Sequence, residues 1–157
     1  MGSQSSAIAC AGSTRLTGFP TRGESAGVVR RLSSRIDRQR FEALVAEALD
    51  AIPDEFASYL ENVVVCVEER PSARLLRSMD MDPERDTLFG LYEGTALSER
   101  SHDFSGAPPD KITVFREPIL EACRREAEVR REIELTIVHE IAHFFGLDDE
   151  HVRRLGY

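Results

Sequence analysis

The strongest chemical signal lies near the end of the chain, in His139-Glu140-Ile141-Ala142-His143-Phe144-Phe145-Gly146-Leu147-Asp148-Asp149. His139 and His143 are four residues apart in a helical pattern. Both imidazoles therefore project from one face, with about 5–6 Å between their Cβ atoms. That spacing lets two ring nitrogens reach one tetrahedral ion. Glu140 follows the first histidine and stands beside the pair, where a carboxylate takes a proton from a metal-bound water. The three residues make a candidate zinc-dependent hydrolytic site. Two structural helix histidines are the bland alternative. Against it, the His-Glu-x-x-His pattern is complete and lies on the most strongly patterned helix, with a glycine and then a carboxylate following at three-residue steps.

A third ligand has to come from outside this helical face. Gly146 ends the helix and lets the chain fold back, which favours Asp149 through a carboxylate oxygen. His151 competes, because imidazole is the commoner zinc ligand, and Asp148 and Glu150 are weaker candidates. Asp149 as a helix N-terminal acid facing the dipole is the structural alternative. The remaining histidine, His102, sits in a polar loop and reads as solvated. Tyr92, Tyr157, Arg153 and Arg154 are conceivable oxyanion donors, but nothing in the sequence selects one of them. The Arg124-Arg125-Glu126 and Arg130-Arg131-Glu132 clusters read as a solvated helix face.

The elements that must hold these groups can be followed in order. From Asp37, Phe41, Leu44, Val45, Ala48 and Leu49 recur at helical intervals. Pro53 ends that helix and opens another to Leu60. Residues 62–67 form a β-branched run that reads as a strand buried on both faces. Ser72 caps a short helix through Arg77. Residues 78–86 form a polar loop and residues 87–92 a second strand. A turn at Glu93-Gly94-Thr95 and a longer loop over 98–110 lead to a third strand at 111–115. A short helix at 119–123 precedes the longest one, 126–145, with Val129, Ile133, Ile137 and Ile141 on one face. At about 1.5 Å per residue this helix crosses the whole domain. Gly146 is its expected left-handed C-cap, and Asp148 caps a last short helix over 149–155.

The chain has 157 residues, 41% hydrophobic and 31% charged, which suits one globular domain. Its formal net charge of −8 argues against nucleic acid or an anionic membrane as a partner. No apolar run approaches the roughly 18 residues of a membrane span. Cys10, Cys66 and Cys123 are odd in number and far apart, which suits reduced thiols in a cytoplasmic protein. Residues 1–34 stand apart. Five glycines, seven serines and a net charge of +3 (four arginines against Glu24) leave −11 for residues 35–157. The expectation is a disordered tail over 1–34 and one domain over 35–157. An organelle transit peptide ranks below that reading, and a secretory signal lacks its apolar core.

The extended pattern His139-Glu140-x-x-His143-x-x-Gly146-x-x-Asp149 resembles the metzincin motif with Asp in place of the third His. Further stretches match in order: Gly90-Leu91-Tyr92-Glu93-Gly94, Ser98-Glu99-Arg100, His102-Asp103-Phe104-Ser105-Gly106, Pro109-Asp110-Lys111-Ile112 and Leu155-Gly156-Tyr157. Together they resemble a bacterial family of minimal zincin-like metallopeptidases, over roughly Arg40 to Tyr157. The resemblance implies an α+β fold: a small mixed sheet of about three to four strands packed on a long motif helix. It implies zinc held by His139, His143 and Asp149, with Glu140 as catalytic acid/base in peptide hydrolysis. A peptide or protein is the implied substrate, aligned by strand addition along residues 87–92.

The larger metzincins carry a methionine turn beyond the third ligand. Here Met1, Met79 and Met81 all precede the motif, and eight residues follow Asp149. The expectation is an open site, or one completed by a protein partner. The competing function is a binding or regulatory module on the same scaffold. A hydrolase of non-peptide amides is a weaker third. An intact Glu140 favours the enzymes.

Overall fold

The structure is a computed structural model that describes residues 7–8, 35–100 and 109–154; the side chains of Ala7, Ile8, Glu55, Asp149, Val152 and Arg153 fall outside that description. The fold is α+β. Among the described residues the helices are α1 (Arg38–Asp50), α2 (Asp54–Ala57), α3 (Ala73–Ser78), α4 (Arg116–Ala122), α5 (Glu126–Phe144) and α6 (Asp149–Arg154). The strands are β1 (Ala7–Ile8), β2 (Val63–Glu68), β3 (Gly90–Glu93) and β4 (Asp110–Phe115). Short 3-10 turns occupy Ser58–Leu60 and Leu97–Glu99.

The strands form one mixed sheet in the order β1-β3-β4-β2. β2 and β4 run parallel, while β3 is antiparallel to both β4 and β1. Side chains alternate across the sheet. Tyr92, Ile112 and Val114 join α1 and α5 in the main core with Phe41, Leu44, Ile133, Ile137 and Phe144. Leu91 and Phe115 join Leu76 and Leu88 in a second cluster, with Met79 and Met81 packed against it. The stretch read as a polar loop thus contributes two half-buried methionines that pack against this cluster. The long helix crosses under β3 and β4, with Val129, Ile133 and Ile137 buried toward the sheet.

Local signals explain most boundaries. Asp37 caps α1 by accepting from the Arg40 N–H at 2.8 Å, and Ser72 caps α3 by accepting from Leu75 at 3.1 Å. Arg40 bonds Glu126 across the start of α5 at 2.7 Å, so part of the charge read as a solvated face joins two helices.

Three expectations need correction. β2 is not buried on both faces: Val64 is 50% exposed, and of β2 only Val67 is buried. The strand lies at the end of the sheet order, so its β-branched run reflects strand preference rather than enclosure. The second strand starts at Gly90, not Thr87, because the residues before it turn into the core, with Leu88 fully buried. The fourth helix begins at Arg116, which puts Pro118 inside its first turns. Of the stretch read as a disordered tail, Ala7–Ile8 form a strand, and its other residues lie outside the described residues, as do His102 and Tyr157. Cys66 and Cys123 are reduced thiols. No helix among the described residues is long and apolar enough to cross a membrane.

Candidate metal centre

The two histidines project from the last turns of α5. Val138, Ile141 and Ala142 turn toward α1, where with Ala48, Ile52 and Phe56 they line an apolar groove of about 610 Å³. One residue along an α-helix is a rotation of about 100°. His139 and His143 therefore face the side of α5 away from α1. Their rings meet edge to face, with centroids 4.8 Å apart. His143 is fully buried and His139 half-buried.

The end of the helix sets the chemistry of His143. Gly146 has φ +88, in the left-handed region that favours glycine. Its N–H bonds the His143 carbonyl at 2.9 Å, and the Leu147 N–H bonds Ala142 at 3.0 Å. This is the Schellman arrangement. The turn brings the Leu147 carbonyl to 2.8 Å from His143 Nδ1. A carbonyl only accepts, so Nδ1 donates to it, and in the neutral imidazole the electron pair is then on Nε2. Metal-ligating histidines are oriented in this way, the second nitrogen donating to a carbonyl or carboxylate. The donor chemistry of the pair fits a zinc ion. A Cβ at Gly146 would also overlap Ser98 Oγ. Gly146→Ala is expected to lower stability by about 1–2 kcal/mol through left-handed strain alone, as a drop in the denaturant midpoint at unchanged slope.

Glu140 is 0% exposed and lies against β3. A Cβ built on Gly90 would stand 2.8 Å from Glu140 Oε1 and 2.6 Å from Thr136 Cγ2. The missing side chain at Gly90 is what lets the glutamate fit between helix and sheet. Sequence reading placed Gly90 in a strand without giving it a role. The available signal was a lone glycine within an apolar strand run, a mark of close backbone approach.

A second glycine-bearing segment braces this end of the helix. Asp110, 4% exposed, is ion-paired with Arg100 and accepts from the Tyr92 hydroxyl and the Thr95 N–H, each at 3.2 Å. Burial, and then the Asp110 charge, pushes the Tyr92 phenol up to about 12. Tyr92 therefore stays a protonated donor to Asp110, and as an oxyanion donor it is ruled out by this engagement. The Arg100 guanidinium also lies 5.1 Å from the centre of the Phe144 ring, next to His143.

The candidate third ligands are placed as follows. Asp149 is the first residue of α6, directly after the turn, and its side chain is outside those described. Asp148 caps α6 by accepting from the His151 N–H at 2.9 Å. That bond, more than the neighbouring imidazole, holds the Asp148 carboxyl below its usual range. His151 Nδ1 is 2.8 Å from the same Asp148 oxygen and its side chain is 59% exposed, so His151 belongs to the cap of α6. Glu150 pairs with Arg154. Among the described residues, no group of three or more His, Cys, Asp or Glu gathers at one point.

A small mixed sheet laid over a long helix, with facing histidines near that helix's end and a glutamate beneath the sheet, is the architecture of the zincin class. The chain belongs to the zincin-like metallopeptidase family, whose model matches residues 60–157. The match spans β2 to the end of the chain, and so contains the whole motif and the strands above it. Zinc binding is general to families of this kind, and their reaction class is hydrolysis. Comparison with curated proteins gives no match.

Proposed function

We propose that the chain is a zinc metallopeptidase in which His139, His143 and Asp149 hold the ion and Glu140 is the general base. The observation that carries this reading is the Leu147 carbonyl at His143 Nδ1, which presents Nε2 beside a neighbouring imidazole on the same helical face. A purely structural histidine pair has no need of that orientation, nor of a glutamate enclosed beside it. Asp149 enters as the ligand because α6 starts there, three residues after Gly146; His151, whose Nδ1 faces Asp148, keeps Nε2 as the competing donor.

When bound, zinc supplies a Lewis acid that polarises a carbonyl and lowers the pKa of water to about 7. Glu140 takes the proton of the attacking water and passes it to the leaving amine. Leu147 keeps His143 in one tautomer throughout. Gly90 keeps β3 close enough to hold the Glu140 carboxylate in place. An extended peptide is the substrate that suits a site lying under a sheet, because strand addition aligns its backbone without demanding particular side chains.

Metal analysis of the purified protein tests the site. The expected result is close to one zinc per chain in the wild type and a loss of most of it in His139→Ala. Equal, near-zero zinc in both would end the proposal. His151→Ala is expected to keep its zinc, and Asp149→Ala to lose affinity.

A further inference from the structure

The sheet order puts β1 on the same side of the molecule as the histidine pair. α1 lies beneath the opposite end of the sheet: Arg38 bonds the Val67 carbonyl of β2 at 2.7 Å, and Leu49 and Ile52 sit with Val63 and Val65. α5 lies between α1 and the β3 edge, with Gly90 against Glu140 and Tyr92 edge-on to Phe144 at 6.1 Å. His139 and His143 face away from α1, so the outer edge of β3 is the edge above them. Ala7–Ile8 pair with that edge, antiparallel, with Ala7 opposite Glu93 and Ile8 opposite Tyr92.

An open strand edge is a row of backbone donors and acceptors that an extended chain can complete. Next to a hydrolytic centre, the edge that β1 holds is the one a peptide would take. We propose that Ala7–Ile8 are an intramolecular occupant of the peptide-binding edge, so that release of this strand opens the site to substrate. The proposal rests on the peptidase reading for the identity of the competitor, and on the register alone for the occupied edge. A strand on the same chain competes intramolecularly, so its hold on the edge does not dilute with the protein. A peptide at micromolar concentration therefore displaces it poorly, and the full chain is held at low activity. Two paired residues are few enough for a tighter partner or a cut in the segment to release them.

The test is the full chain carrying Ala7→Pro and Ile8→Pro together. Whichever amide pairs with β3, one of the two prolines removes it. Neither residue belongs to the catalytic machinery, and an unchanged thermal melt would show an intact domain. Hydrogen exchange at whichever of the Tyr92 and Glu93 amides faces β1 is expected to speed up at least tenfold in the variant. A labelled peptide of residues 3–9, Ser-Gln-Ser-Ser-Ala-Ile-Ala, is expected to bind the variant at least tenfold more tightly than the wild type and to restore protection. Peptide hydrolysis is expected to rise through a lower KM. Unchanged exchange, or equal peptide affinity for both proteins, would overturn the proposal. Absence of hydrolysis in both, with the exchange and binding differences present, would overturn the peptidase reading and still support the occupied edge.

Discussion

Glu140→Gln is expected to lower kcat/KM on peptides by about 100- to 10,000-fold, the range that general-base catalysis contributes, while the zinc content stays at the wild-type level. Glutamine keeps the shape and length of the side chain, so it fits the space that Gly90 leaves beside Oε1. What it loses is the capacity to take a proton. Metal loss together with activity loss would make Glu140 a residue that positions the ligand helix. Unchanged hydrolysis would remove it from the mechanism. Glu140→Asp is a useful companion. A carboxylate one methylene shorter retains the base but draws it away from the reacting water, so a deficit of similar size there indicates dependence on position as well as on basicity.

The second large effect concerns a pair outside the proposed ligand set. Arg100→Ala leaves the Asp110 carboxylate buried, with the Tyr92 hydroxyl and the Thr95 N–H as partners but without its counter-charge. Breaking a buried ion pair from one side costs about 3–5 kcal/mol. In a domain of this size that is a fall in melting temperature of about 6–20 °C. Arg100→Lys is expected to recover only part of it. A lysine cannot reach Asp110 and also donate to the Thr95 carbonyl, as the guanidinium does at 3.0 Å. Replacing both partners, Arg100→Met with Asp110→Asn, is expected to cost less than Arg100→Ala alone, because no uncompensated charge remains. A double variant worse than the single would show that the pair itself stabilises the fold.

How much of this could be read in the sequence depended on the range of the interaction. His139, Glu140 and His143 are one helical turn, and helical period is a local property, so their shared position on α5 was legible. The same holds for Ser72 and Gly146 as caps, whose partners lie within a few residues. The parts that were missed involve distant neighbours or the backbone. Gly90 matters because of Glu140, which arrives from far along the chain. Leu147 acts through its carbonyl, and no side chain advertises that. Val64 looked like core because β-branching reports preference for a strand and is silent on where the strand falls in the sheet order. The pairing of Ala7–Ile8 with β3 rests on two residues, too few to produce an alternating pattern.

The helix that presents the histidines is also the helix whose buried face, through Val129, Ile133, Ile137 and Phe144, organises the core. Folding and uptake of the proposed ion would therefore be thermodynamically linked. An ion that binds the folded chain alone adds stability according to its concentration relative to its dissociation constant, about 2.7 kcal/mol at a hundredfold excess. For a domain with marginal stability of its own, the amount of metal around it sets how much of the protein is folded, and so how long it survives. With the zinc site proposed above, the zinc supply would govern abundance as well as turnover.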